Sequence, residues 1–450
     1  MLNLASAIAL AVVGIAAVAF PPAIAAISIL NLPTDTPGLA QHQVLQFPNA
    51  FILLLSFVAM GRVLYELWRR RRCSAASGRI FKIALLATAV SWWTALSILV
   101  GGRLGISDVV YAGFEAIPGA VFAVAYHRNR VARALFIAIL AAQLVIGYGI
   151  VTFPGSAMTL LRPAVGAGPE TPHAWDVSPT HKDNAQFAHS GQFAFYGAVG
   201  LVVGVYFLVY SRGAGRKIFG AGLIYLGVVS SLVTVCRALW LGIPVALVVL
   251  LIPIARTTIS RAAYGLAAAY VGLWLYVALA GSTSPTVSAI REYFMSVRED
   301  QYRIPAAIGS VDVLLTKPIF GANGDIEELV NWVGGVPHQS FYYYATMYGL
   351  PAGICLLVIT WWTLSPNFIR RRIAEVPGFG RPEQHLARAI GWLVLAMAMT
   401  NGMSAGMFAW ICLGFACMPW AYSLPRQRVV ASRAPAPLSR RRTVAPASER

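Results

Sequence analysis

Long apolar runs separated by short basic connectors set the pattern of this chain. A helix crossing the hydrocarbon core of a bilayer needs about 20 mostly apolar residues. Twelve stretches have that character: 3–30, 48–68, 82–101, 109–126, 133–153, 187–210, 218–236, 239–254, 263–281, 338–363, 388–405 and 407–423. The stretch at 239–254 is short. The first is long, and Phe20-Pro21-Pro22 predicts a kink in it, because proline removes a ladder hydrogen bond. The expectation is an all-α polytopic membrane protein of about twelve transmembrane helices. Nine of them occupy 1–281, three occupy 338–423, and 424–450 forms a basic tail.

Polar residues gather in two longer connectors, 154–186 and 282–337. The second is too long to be featureless in a compact domain. Ile304, Ala307, Ile308, Val311, Leu314 and Leu315 recur at helical spacing, which predicts an amphipathic helix able to lie along a membrane surface. Residues 286–300 suggest another. The loop 282–337 therefore reads as a small folded cap over the bundle.

Composition narrows the class. Of 450 residues 58% are hydrophobic and 12% charged, about half the charged share of an ordinary soluble protein. That excess rules out a soluble enzyme, a disordered tail protein and a fibrous repeat. A net charge of +18 would suggest nucleic acid in a soluble protein, but its distribution gives another reason. Cytoplasmic segments of membrane proteins are enriched in Lys and Arg. With the N-terminus inside, 26 of the 35 basic residues fall on the inner side, eight on the outer side, and Arg62 within a span. Acidic residues run the other way, twelve outside and four inside. The charge is thus a topology signal with both termini cytoplasmic, and no nucleic-acid partner is expected. A hairpin at 3–30 would turn Arg69 to Arg72 outward, against the rule. A secretory signal is not expected either, since no Lys or Arg precedes Arg62. The five cysteines form no C-x-x-C pair, which argues against a disulfide framework or a thiolate metal site. The Arg-, Pro- and Ala-rich tail has the composition of a disordered flank.

Four features near the outer side carry candidate chemistry. Arg237 stands in Val235-Cys236-Arg237-Ala238, between two apolar runs with no polar loop to retreat to. An arginine there is a snorkelling interfacial residue or has an anionic partner. Arg303 opens the amphipathic helix, where Glu299 and Asp300 are alternative ion-pair partners. After that helix comes Lys317-Pro318-Ile319-Phe320-Gly321-Ala322-Asn323-Gly324. His338 then begins Pro337-His338-Gln339-Ser340-Phe341, followed by Tyr348-Gly349-Leu350. A histidine at a span boundary is a satisfied cap or a proton acceptor near neutral pH. Tyr342, Tyr343, Tyr344 and Tyr348 read as an interfacial aromatic belt rather than a sugar platform. His173, Asp176, His181, Lys182, Asp183 and His189 have irregular spacing, so no metal site is expected there, although Asp183 could line an acceptor groove. Glu115 is the one acid well inside a span and has the character of a residue paired with a polar neighbour.

This layout resembles the O-antigen ligase/polymerase family of bacterial membrane glycosyltransferases, best over 230–355. The shared features are an Arg after an apolar run, a long periplasmic loop opening with Arg and an amphipathic helix, and a Pro-x-x-Gly-x-Gly-like turn. A His-led pair and an aromatic stretch with Gly-x-x-Gly follow. Three positions depart from that pattern. Cys236 stands where Ser is usual, Gln339 where Asn is usual, and Gly321-Ala322-Asn323-Gly324 is one residue longer than Gly-x-Gly.

The resemblance implies an enzyme of the bacterial inner membrane with a periplasmic site. It would move a glycan from an undecaprenyl diphosphate carrier to an acceptor hydroxyl, by an inverting reaction without metal or cofactor. Arg237 and Arg303 would bind the diphosphate, and His338 would act as the catalytic base. Gln339, Tyr342 and Asp183 would contact acceptor or sugar. A polymerase of O-antigen or exopolysaccharide and a ligase of lipopolysaccharide biosynthesis share this chemistry. The alternative is a lipid-linked oligosaccharide flippase or other polysaccharide transporter. Against it stands the scarcity of charge within the spans, almost limited to Arg62 and Glu115.

Overall fold

The computed structural model describes residues 75–102, 130–153, 190–234, 236–254, 300–333, 339–368, 372–376, 379–400 and 406–423, with single positions between them. Among these residues the chain is helical and has no strand. The first five helices are α1 (Ala75–Gly101), α2 (Arg130–Thr152), α3 (Ser190–Tyr210), α4 (Ala214–Thr234) and α5 (Arg237–Leu251). Then come α6 (Asp300–Thr316), α7 (Ile326–Val333), α8 (Ser340–Tyr348) and α9 (Leu350–Phe368). The last are α10 (Arg381–Thr400), α11 (Gly406–Ala416) and α12 (Met418–Ala421). Four helices among the described residues are long and apolar enough to cross a membrane: Ala76–Gly101, Gly191–Tyr210, Ala214–Thr234 and Leu350–Phe368.

The helices bury small polar side chains together with part of their apolar ones, and leave a stripe of large apolar residues exposed. On α1, Ser77, Ser91, Thr94 and Ser97 face the protein, while Leu85, Trp92, Leu96 and Leu99 face outward at helical spacing. On α9, Thr360, Thr363 and Ser365 are buried, and Ile354, Leu357 and Trp361 are exposed. In water so many large apolar side chains would not stay exposed, because apolar burial drives folding. Against lipid tails the arrangement is stable, since the outer face gains nothing by retreating and small polar residues pack helices closely. The chain is a helical membrane protein.

The main core gathers around α10, whose Leu386, Ile390, Leu393 and Met397 are buried among α3, α5, α8, α9 and α11. The pair α3 and α4 is antiparallel and runs backbone against backbone. A Cβ on Gly197 would lie 2.4 Å from Ser230 Oγ, and one on Gly204 2.6 Å from the Gly220 carbonyl. The Ser230 hydroxyl donates to the Phe193 carbonyl at 2.7 Å across the same crossing.

The two ends of α1 meet segments that the charge balance assigns to opposite faces. At its start, Arg79 Nη1 donates to the Trp420 carbonyl at 3.2 Å and to Ser423 Oγ at 2.8 Å. At its far end, Ser97 Oγ donates to the Phe320 carbonyl at 2.7 Å, in the loop read above as the cap. A helix of this length rises about 40 Å, enough to join both sides of a bilayer.

Two apolar runs are not continuous helices. The run 338–363 is divided at Gly349, whose φ of +96° and ψ of 162° end α8 and start α9 in a new direction. The run 407–423 breaks after Ala416 into α11 and the short α12. The runs 133–153 and 239–254 fall in α2 and α5, and the described part of 388–405 falls in α10; α5 is extended by a 3-10 turn and contains Pro244. The runs 3–30 and 263–281, most of 48–68 and 109–126, and the segments 154–184, 286–299 and 424–450 lie outside the described residues.

Candidate functional site

The cap is a body with its own small core. Ala306 and Val313 of α6, Ala322 of the following turn, Leu329 and Val333 of α7, and Met347 of α8 are buried together. Close approach is possible because α6 presents small residues there: a Cβ on Gly309 would lie 2.9 Å from Val333 Cγ1. Sequence periodicity marks one apolar stripe of α6 as a surface for the membrane, and the structure adds a second, buried face. Ala306, Ser310 and Val313 are buried, whereas Ile308, Val311 and Leu315 are exposed. As in the bundle, small residues pack inward and a large apolar stripe is left outside, where it can lie on a membrane surface.

The turn 317–324 is sewn to α8 and the start of α9 by backbone hydrogen bonds, and to α1 by side chains. The Ala322 N–H donates to the Thr346 carbonyl at 2.8 Å, and the Gly324 N–H to the Met347 carbonyl at 2.9 Å. The Leu350 N–H donates to the Pro318 carbonyl at 2.8 Å. Gly321, Asn323 and Gly324 adopt φ of 59°, 56° and 78°, so the extra residue relative to Gly-x-Gly is taken up by a left-handed Asn. From α1, Trp93 Nε1 donates to the Ile319 and Tyr348 carbonyls at 3.2 and 3.0 Å, and its ring stacks on Phe320 at 5.5 Å. The motifs Lys317–Gly324 and Tyr348–Leu350, far apart in sequence, form one joint.

Beside the joint, Asp325, Glu327, Glu328, Asn331 and Trp332 line an open groove of about 470 Å³. Trp332 is partly exposed on it, with Lys317 Nζ 5.1 Å from the ring centre. Lys317 also pairs with Glu328, and Asp325 Oδ1 accepts from the Glu328 N–H at 3.0 Å, capping α7. An aromatic face flanked by carboxylates and an amide suits a sugar, whose CH face stacks and whose hydroxyls hydrogen-bond. Sequence reading missed this groove because its residues look like an ordinary acidic helix start.

Of the sequence-derived site residues, Gln339 and Tyr342 are described fully. Gln339 precedes α8 with extended backbone, and its side chain makes no capping hydrogen bond. Tyr342 is exposed, but Tyr344 is buried against Trp410 at 6.2 Å between ring centres. The aromatic stretch is therefore not a belt throughout; Tyr344 belongs to the core. Next to Gln339, Ser340 Oγ is fully buried and has no hydrogen-bond partner. Asn323 Oδ1 in the joint is likewise buried and unpaired.

Arg303 lies on the first turns of α6 and Arg237 is the first residue of α5; their side chains lie outside what is described. Helices α5 and α8 both pack on α10. His338, Asp183, Glu115 and the cluster around His173 lie outside the described residues. No protein-family model matches the chain, and no curated protein matches it in sequence.

Proposed function

We propose that this chain is a membrane glycosyltransferase. It takes a glycan from an undecaprenyl diphosphate carrier on the periplasmic face of a bacterial inner membrane and joins it to an acceptor hydroxyl. The observation that carries the reading is the fused joint. It ties the helix bearing Arg303 and the Lys317–Gly324 turn to the far end of α8, the helix that begins just after His338 and Gln339, beside a groove of sugar-binding character. A hydrolytic or transfer site needs such preorganisation, because positioning supplies much of the rate.

In this reading the acceptor hydroxyl attacks the anomeric carbon, its proton passes to His338, and the bond to the carrier oxygen breaks. Undecaprenyl diphosphate leaves with both bonding electrons. Arg237 and Arg303 stabilise the charge that develops on it, a task suited to guanidinium geometry. Gln339 and Tyr342 orient the reacting sugar, and the Trp332 groove holds the acceptor chain. The roles of polymerase and ligase differ only in what enters that groove.

The test is reconstitution with a labelled undecaprenyl diphosphate repeat unit. Longer lipid-linked oligomers from the wild type alone identify a polymerase, and product only on adding lipid A-core identifies a ligase. His338→Ala is expected to lower turnover at least about a hundredfold. Equal product from both proteins removes His338 from the chemistry, and no product with any acceptor favours a flippase. Trp332→Ala gives a separate prediction. Its expected effect is a rise in acceptor KM of about tenfold with kcat nearly unchanged, since the ring binds ground state and transition state alike. A fall in kcat at constant KM would place Trp332 elsewhere.

A further inference from the structure

The end of the bundle opposite the cap holds a group of buried donors that the proposed reaction does not use. Helices α9 and α10 run antiparallel there. A Cβ on Gly391 would lie 2.8 Å from Thr363 Cγ2, and Phe368 meets Trp392 edge to face at 5.9 Å. One turn nearer the same end stand Asn367 on α9 and Arg388 on α10. Asn367 Nδ2, Arg388 Nε and Trp392 Nε1 are all buried without a hydrogen-bond acceptor.

The carboxylates described at this end are engaged elsewhere. Glu375 pairs with Arg381 at 2.5 Å, and Glu383 accepts from the Tyr206 hydroxyl at 3.2 Å. His385, one turn before Arg388, is pushed down to about 4 by burial and then by the Arg388 and Arg381 guanidiniums, so it adds no charge at neutral pH and signals a locally positive field.

A guanidinium nitrogen withdrawn from water without an acceptor is costly, and so is each unfilled amide or indole donor. All three unfilled atoms donate, so the missing partner accepts only. Arg favours flat or tetrahedral oxyanions that it can grip through two nitrogens. The site lies at the end of a membrane-crossing helix, on the side the charge balance reads as cytoplasmic. Phe368 and Trp361 are exposed on α9 beside it, where acyl chains would lie.

We propose that the α9–α10 crossing binds a phosphate group through Arg388, Asn367 and Trp392, supplied by an anionic lipid headgroup of the inner leaflet or by a soluble phosphate. The site is independent of the glycosyl-transfer reading.

The test uses the full-length protein in neutral detergent, with thermal melting followed as phosphatidylglycerol, phosphatidylcholine or inorganic phosphate is added. Wild type is expected to be stabilised by phosphatidylglycerol and not by phosphatidylcholine. Arg388→Gln should weaken that response about tenfold in apparent affinity. Trp392→Phe keeps the ring against Phe368 but removes the N–H. It is expected to melt like the wild type without lipid and to bind several times more weakly. Stabilisation by inorganic phosphate alone, lost in both variants, upholds the site with a soluble occupant. No stabilisation by either phosphate source, or variants that respond as the wild type does, overturns the proposal.

Discussion

Replacing Gly349 by alanine is expected to lower the stability of the protein by about 3–5 kcal/mol, enough to release the cap from the bundle. The cause is local and twofold. Its φ of +96° with ψ of 162° lies in a region essentially closed to residues with a Cβ. A Cβ there would also lie 1.8 Å from the Ile319 carbonyl oxygen and 2.9 Å from the Phe320 nitrogen, both backbone atoms with no rotamer to yield. The turn must therefore move, and with it the bonds from Leu350 to Pro318 and from Trp93 to Ile319. Gly222→Ala serves as a matched control, since a Cβ there meets nothing within 4 Å on the exposed face of α4. Melting in detergent should separate the two variants clearly. Equal melting temperatures would mean that the joint is not the structural hinge between cap and bundle.

The same residue shows where sequence reading stops. An apolar run tells which solvent a segment meets, and the runs at 82–101, 187–210 and 218–236 became α1, α3 and α4. Hydropathy carries no information about φ, so the run 338–363 gave no sign that Gly349 divides it. The motif order around it was legible because each piece is local. The joint they form was not, since it depends on bonds between residues that lie more than 20 apart, such as Ala322 and Thr346. Periodicity found α6 and its exposed apolar stripe, but gave no sign of the face that packs inward. In a membrane protein the large apolar side chains do not have to be the buried ones, and Ala306 and Ser310 took that place. Trp93 and Ser97 gave no signal at all: within an apolar run they look like ordinary span residues, and only their acceptors in the cap reveal their role.

The pairing of α3 with α4 leads to the other large effect. Gly227→Ala is expected to cost about 2–4 kcal/mol, and Gly227→Leu to prevent the pair from closing. A Cβ at Gly227 would lie 2.5 Å from the Gly197 carbonyl and 2.9 Å from Leu201 Cβ and nitrogen. Gly204 and Gly220 face each other in the same way two turns along, so the residue numbers of each pair add to the same total, as an antiparallel register requires. In lipid no hydrophobic force draws the two helices together, and what holds them is the dispersion and Cα–H to carbonyl contact that close approach allows. Moving the backbones apart by even one methyl group weakens that contact along the whole crossing, including the bond from Ser230 to Phe193. The effect should therefore exceed the helix-propensity gain of about 1 kcal/mol that alanine brings over glycine. Gly222→Ala, on the lipid-facing side of the same helix, should show that gain alone. If Gly227→Ala also stabilised the protein, the glycines would be tolerated rather than required, and the crossing would have to be held chiefly by the aliphatic contacts of Leu201 and Leu223.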